Sequence, residues 1–146
     1  MPYIGISENR LHHIIGVARK AYSIAKERGY NEDFARRCFM LGWLHDTGYE
    51  FCSVQDKHPD MSEDLMKLIG VTDVESLSAV KNHGRESYRK TLEYTILNTA
   101  DMTTDSKGRD VTPAERLRDI KERYGEESIQ YITARDICRK IGLIPG

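Results

Sequence analysis

The sequence predicts an all-α fold, a single-domain helical bundle of about six to seven helices. Three observations carry that prediction. Helix caps and stops recur along the whole chain, with Asn31 and Thr112 as starts and Gly29, Gly125 and Gly142 as ends. Apolar residues repeat at helical spacing, and no stretch alternates as a strand. The connections left between the helical stretches are short.

The elements follow in order. A first helix spans about residues 7–28, with Leu11, Ile14, Ile15, Ala18, Tyr22 and Ala25 on one face and Gly29 as its stop. Asn31 caps a second helix. It carries the apolar run Cys38-Phe39-Met40-Leu41-Gly42-Trp43-Leu44, closes on His45-Asp46 and stops at Gly48. Being apolar nearly all round, it is expected at the centre of the bundle. A polar stretch over 50–57 leads to His58-Pro59, which opens a third helix, since proline in a first turn lacks only an N–H that would be unpaired anyway. Thr72 or Asp73 caps a fourth helix, which ends near His83-Gly84, and a fifth runs over about 87–102. After a polar loop at 103–111, Thr112-Pro113-Ala114-Glu115 is a capping box with proline at the first helical position. That sixth helix ends at Gly125, and a seventh covers about 127–141.

Composition narrows the function. Across 146 residues, 39% are hydrophobic and 31% charged, and the net charge is −1, so no basic surface points to a nucleic-acid polymer or a membrane. No apolar run approaches a membrane span, and the first residues do not resemble a signal peptide, which makes the cytoplasm the expected location. The three cysteines, Cys38, Cys52 and Cys138, show no metal or redox spacing and are expected to be packed thiols. Tyr124, Ile129, Tyr131, Ile132, Ile137 and Ile141 could close the core or make an interface in a homo-oligomer.

The chemistry concentrates in His45-Asp46. An imidazole and a carboxylate closing a core-like run are costly to bury unless they are paired or hold a cation. His13 lies at the edge of the apolar face of the first helix, whereas His12 points to the surface side. His58 stands at a helix entrance and His83 at a helix end. Asp101 sits in Tyr94-Thr95-Ile96-Leu97-Asn98-Thr99-Ala100-Asp101-Met102, with no basic residue in its own segment. A metal would answer it, as would a salt bridge to Arg10 or a cap interaction with the loop after Met102. The set His13, His45, Asp46, His58, His83 and Asp101 uses four of the five histidines and no thiolate. Nitrogen and oxygen ligands suit Fe, Mn, Ni, Co or catalytic Zn. Asp46 could bridge two cations with its two oxygens.

With these residues in view, the sequence resembles the HD superfamily of metal-dependent phosphohydrolases. The resemblance runs through Arg10-x-x-His13-x-x-x-Val17-Ala18, Leu44-His45-Asp46-Thr47-Gly48, His58, His83 and Ala100-Asp101. It implies an HD-type bundle with a metal-binding core over about 7–104 and C-terminal helices at about 112–142 packed on it. Single-metal members use the equivalents of His13, His45, Asp46 and Asp101. The added His58 and His83 resemble the two-metal branch, within which His58-Pro59-Asp60-Met61-Ser62-Glu63-Asp64-Leu65 and Ala79-Val80-Lys81-Asn82-His83-Gly84 are similar to bacterial diadenosine tetraphosphate hydrolases. The stretch from Gly108 to Leu117 resembles small uncharacterised HD hydrolases instead, so no substrate is carried over.

The resemblance implies two divalent or mixed-valence metal ions, iron first, with Mn, Ni, Co, Zn or Mg as alternatives. It implies hydrolysis of a phosphate ester or anhydride of a nucleotide or a small phosphorylated metabolite, with Asp46 and His45 at the catalytic centre and a metal-activated hydroxide as nucleophile. Arg10, Lys81, Arg85 and Arg109 are the candidate phosphate-binding residues, with Arg10 first. Lys57 is a further nearby cation, and residues 107–118 are expected to form a solvated mixed-charge face. The competing readings are a di-iron oxygenase acting on a small polar substrate, a mononuclear nucleotide monophosphatase and a non-catalytic regulatory module.

Overall fold

The computed structural model describes residues 5–50, 57–85 and 90–145. Helix α1 (Glu8–Glu27) starts where the Ser7 side chain accepts the Arg10 N–H, and α2 (Glu32–Leu44) where Asn31 accepts the Phe34 N–H. A short 3-10 turn (Thr47–Glu50) follows. Helix α3 (His58–Leu68) has Pro59 in its first turn, and Asp73 caps α4 (Val74–Lys81). Thr91 caps α5 (Leu92–Asp101), the Thr112–Glu115 capping box opens α6 (Pro113–Tyr124), and Ser128 caps α7 (Ile129–Lys140). The expected all-α architecture is present, with seven α-helices among the described residues. Among the described residues the β-structure is one isolated bridge, Thr104 to Asp110, which pinches the loop between α5 and α6.

Several boundaries differ from expectation, and the differences shape the site. Helix α2 ends at Leu44, so His45 and Asp46 stand in the turn beyond it. Helix α4 ends at Lys81, leaving His83 in a turn as well. Helix α5 begins at Leu92, and the earlier part of its expected span includes 86–89, outside the described residues. Most of the polar stretch after Glu50, including Cys52, is likewise outside them.

The main core joins Val17, Ala21 and Ala25 of α1 to Cys38 and Leu41 of α2, Met66 of α3, Val80 of α4 and Tyr94, Ile96 and Leu97 of α5. A second cluster links Met102, at the end of α5, to Leu117 and Ile120 of α6 and Ala134 and Cys138 of α7. The central helix is α5, not α2. Helix α2 leaves Phe39 and Trp43 exposed as a tilted ring pair on its outer face, whereas α5 buries Glu93, Tyr94 and the run 96–100. The polar residues of α5 tolerate this because they bond back one turn: Asn98 donates to the Tyr94 carbonyl and Thr99 to the Thr95 carbonyl. Cys38 and Cys138 are buried free thiols whose burial pushes them up to about 12 and about 11, so they remain protonated packing groups. Of the six C-terminal apolar residues singled out above, Ile137 is buried, and Tyr131 and Ile141 pack on the two clusters. Tyr124, Ile129 and Ile132 stay exposed.

Two glycines set how closely the site-bearing elements approach. A Cβ on Gly42 would lie 2.4 Å from the Ala18 Cα, so α1 and α2 meet backbone to backbone. A Cβ on Gly48 would lie 2.0 Å from the His58 carbonyl oxygen, so the turn holding His45 and Asp46 is pressed onto the first residue of α3. Ser62 fastens this junction: its fully buried Oγ accepts the Gly48 N–H at 2.8 Å and donates to the His45 carbonyl at 2.9 Å. Ser62→Ala leaves that buried N–H unpaired and is expected to cost about 1–3 kcal/mol. In thermal denaturation this corresponds to a fall of about 2–4 °C per kcal/mol for a chain of this size. Gly48→Ala, which forces backbone apart, is expected to cost more than Ser62→Ala; the opposite order would show that the junction is not tight.

Candidate metal centre

Six side chains from five parts of the chain converge. His13 comes from the middle of α1, His45 and Asp46 from the turn after α2, His58 from the first residue of α3, His83 from the turn after α4 and Asp101 from the last residue of α5. All six sequence-predicted ligand residues are therefore brought together. Most lie at helix ends, where departing backbone leaves room for a polar centre and supplies free carbonyls.

Those carbonyls orient the histidines. His13 Nδ1 donates to the Asp105 carbonyl at 2.8 Å, His45 Nδ1 to the Gly42 carbonyl at 2.6 Å and His83 Nδ1 to the Val80 carbonyl at 2.6 Å. A carbonyl only accepts, so the proton of each neutral ring sits on Nδ1 and Nε2 presents its lone pair inward. The turn bearing His83 is fixed by Asn98, whose Oδ1 accepts the Gly84 N–H. The Asp105 loop is fixed by the Asp105 carboxylate, which accepts the Lys107 and Arg109 N–H groups.

Asp46 divides the inward-facing nitrogens into two groups. Its Oδ1 lies 3.1 Å from His58 Nε2 and 3.2 Å from His83 Nε2, and those two nitrogens are 2.9 Å apart. Its Oδ2 lies 3.4 Å from His45 Nε2 and 3.7 Å from His13 Nε2. Asp101 Oδ1 closes this second side, 2.8 Å from His13 Nε2 and 3.8 Å from His45 Nε2. The trios His13, His45, Asp101 and His45, Asp46, His83 each place their ligand atoms within 4.8 Å of one another.

The residues fit a metal. His45 is fully buried and its Nε2 has no hydrogen-bond partner, an orphaned lone pair in the core. Lone pairs and carboxylate oxygens facing one another repel unless a proton or a cation lies among them. Hydrogen bonds from Nδ1 to carbonyls are the usual support of metal-binding imidazoles.

Without metal, protons must do this work. Burial opposes charge on His45, but Asp46 and Asp101 outweigh it and His45 is pushed up to about 9. Burial likewise pushes the Asp46 and Asp101 carboxyls up, yet the surrounding histidines outweigh it and hold both well below the usual carboxylate range. Burial, aided by His58 and His45, pushes His83 down.

A cavity of about 1000 Å³ opens beside the centre. Its lining includes Arg10, Tyr49, Lys57, Arg85, Arg116 and Arg123. Arg10 stands 3.8 Å from Asp46 Oδ2, with its guanidinium 3.5 Å above the Tyr49 ring. Tyr49 also stacks on His58 at 3.9 Å, so its ring is sandwiched between the two. Arg85 reaches the cavity but makes a bidentate pair with Asp60. The other two predicted phosphate-binding residues stand elsewhere. Lys81 faces Glu63 at 3.8 Å, and Arg109 braces the Asp105 carboxylate at 2.7 Å, because each finds a nearer acid on its own side of the fold. The Arg10–Asp101 salt bridge offered above as the structural alternative is replaced by Arg10–Asp46.

Sequence reasoning missed Tyr49 and Arg116. Arg116 falls within the run expected to be a solvated face, yet its side chain is 13% exposed and Nη2 lies 3.9 Å from Asp101 Oδ1. The available signal was its place four residues before Ile120, beside the apolar stripe of α6.

The HD domain family matches residues 10–141 of this chain. The chain is also similar to ribonuclease Y of Rhodopirellula baltica (strain DSM 10527 / NCIMB 13988 / SH1), 31% identical over 150 residues. That match covers 96% of this chain and 27% of the relative, so the chain spans about a quarter of that protein's length. No solved structure matches.

A pH dependence follows from His45. Its folded value of about 9 exceeds the ordinary 6.5, so its protonation stabilises the metal-free fold fully below pH 6.5. That stabilisation is lost as pH rises through about 9. His83, pushed down, titrates below this window. The melting temperature of chelator-treated protein is expected to fall across that range. The increment from added metal should grow over the same range, because a metal held by His45 would compete with its proton. A metal-free melting temperature that rises through the window contradicts this assignment.

Proposed function

The chain belongs to the HD domain family of metal-dependent phosphohydrolases, and from that premise we propose that it hydrolyses a phosphate ester or anhydride of a nucleotide or related small phosphorylated metabolite. What carries the reading is the convergence of four imidazoles and two carboxylates at the floor of a cavity lined by arginine and lysine. Ligands of this kind suit Fe, Mn, Ni, Co or Zn, and the family resemblance puts iron first.

His13, His45, Asp101 and Asp46 Oδ2 would hold one ion, and Asp46 Oδ1, His58 and His83 a second. Ions bound there would lower the pKa of water towards neutrality and neutralise phosphoryl oxygens. The chain's own residues do the rest. The Nδ1 bonds of His13, His45 and His83 keep their Nε2 atoms aimed at the centre, and Asp46 stays ionised at any pH near neutrality. Arg10, held flat on Tyr49, makes no side-chain hydrogen bond among the described residues and offers its donors to a phosphoryl oxygen.

A second reading, cleavage of an RNA phosphodiester, is favoured by the likeness to ribonuclease Y. A screen of phosphate release over mono-, di- and dinucleotides, with RNA fragments assayed for cleavage alongside, tests both. Oxygen uptake by iron-loaded protein with no phosphate released would establish the oxygenase alternative instead. His58→Ala and His83→Ala are expected to remove one ion per chain by elemental analysis. Phosphate release should fall at least about tenfold with them. An unchanged metal content near one ion per chain would support the mononuclear alternative.

A further inference from the structure

Arg116 is a largely buried cation whose carboxylate neighbours among the described residues stay beyond hydrogen-bond distance. Its side chain is 13% exposed, its Nε is buried without a hydrogen-bond partner, and its two carboxylate neighbours, Asp101 and Asp119, both stand at 3.9 Å. No hydrogen bond reaches its guanidinium among the described residues. A guanidinium stays charged at every relevant pH and carries several N–H donors in a rigid fork. Burying such a group without close acceptors is destabilising, and a substitution free of that defect would be easy to accommodate on a capped, proline-started helix. Asp101 does not resolve the matter, because its near oxygen is already taken by His13 at 2.8 Å. Arg116 also lines the cavity beside the metal centre.

Arg10 is its counterpart at the other carboxylate of the centre. Arg10 stands 3.8 Å from Asp46 Oδ2 and Arg116 3.9 Å from Asp101 Oδ1. His13 Nε2 lies between those two oxygens, at 3.7 and 2.8 Å. Two guanidinium forks, each short of an acceptor, therefore flank the same few ångströms of the centre.

We propose that Arg116 is a substrate-binding residue that, together with Arg10, receives the terminal phosphate of a phosphomonoester or nucleotide at the Asp101 side of the centre. This rests on the phosphohydrolase reading and names its substrate class. A terminal phosphate presents one more non-bridging oxygen and one more negative charge than an internal diester, and two forks beside bound cations match the more highly charged group. The forks take its oxygens pairwise, the geometry in which arginine binds phosphate most strongly.

The test compares metal-loaded wild type with Arg116→Met and Arg116→Lys. Inorganic phosphate, the simplest terminal-phosphate probe, is titrated by calorimetry alongside metal content, melting temperature and hydrolysis of 4-nitrophenyl phosphate and bis(4-nitrophenyl) phosphate. Arg116→Met is expected to weaken phosphate binding about ten- to a hundredfold. Its metal content should be unchanged and its melting temperature equal to or above that of wild type. Arg116→Lys, which keeps the charge without the fork, should fall between. Wild-type phosphate affinity in Arg116→Met, with a lowered melting temperature, overturns the proposal and makes Arg116 a structural brace for Asp101. Should Arg116→Met lose metal or melt early, wild-type affinity in Arg116→Lys overturns it equally. Wild-type protein that prefers the diester overturns the terminal-phosphate assignment. Wild type that hydrolyses neither ester nor any nucleotide defeats the phosphohydrolase reading itself, an outcome distinct from active protein in which Arg116→Met leaves KM unchanged.

Discussion

Asp46 is an ionised carboxylate set in the core with both oxygens committed to histidine nitrogens, and much of the fold is arranged around that placement. A buried charge of this kind is tolerable only when paired. Here the partners come from four different elements, so the centre can exist only when α1, the α2 turn, α3 and the α4 turn are all in place. The centre and the fold are thus one cooperative unit, and a bound cation would stabilise the whole bundle.

The supporting bonds explain how such a centre avoids collapse. Each of His13, His45 and His83 is turned inward by a carbonyl on its far side, and each of those carbonyls belongs to a stretch that is itself tied down. Ser62 clamps the His45 turn to α3, Asn98 clamps the His83 turn to α5, and the Asp105 carboxylate closes the loop behind His13. The Asn98 amide N–H and the Thr99 hydroxyl of α5 bond back along its own axis, so the central helix passes through the core and delivers Asp101 at its end. Unpaired donors and acceptors are left at the centre and on its cavity wall, at His45 Nε2 and Arg116 Nε. Such local deficits at a cavity mark places where stability has been given up for binding.

How much of this was legible in the sequence depended on contrast. His45-Asp46 stood out because polar residues closed an apolar run, and Asp101 because its helix was otherwise uncharged. Arg116 was hidden for the opposite reason: it lies in a run of mixed charges, where one inward-facing arginine resembles its solvated neighbours. The same limit misplaced the central helix. Phe39 and Trp43 made α2 look fully buried, while the threonines and Asn98 of α5 made it look less apolar than its surroundings are. Hydropathy counts side-chain chemistry and cannot register a hydroxyl satisfied by the carbonyl four residues earlier. Lys81 and Arg109 were selected by proximity in sequence to ligand residues. Their partners, Glu63 on another helix and Asp105 within a folded loop, are set by tertiary geometry.

The division of the ligands by Asp46 into a His58–His83 side and a His13–His45–Asp101 side is the centre of the account. Anomalous diffraction from crystals of the metal-loaded protein tests it most directly. The account predicts two peaks per chain, one on each side of Asp46, with Asp46 oxygens contacting both. A single peak held by His13, His45, Asp46 and Asp101, with His58 and His83 hydrogen-bonded to solvent, would contradict it.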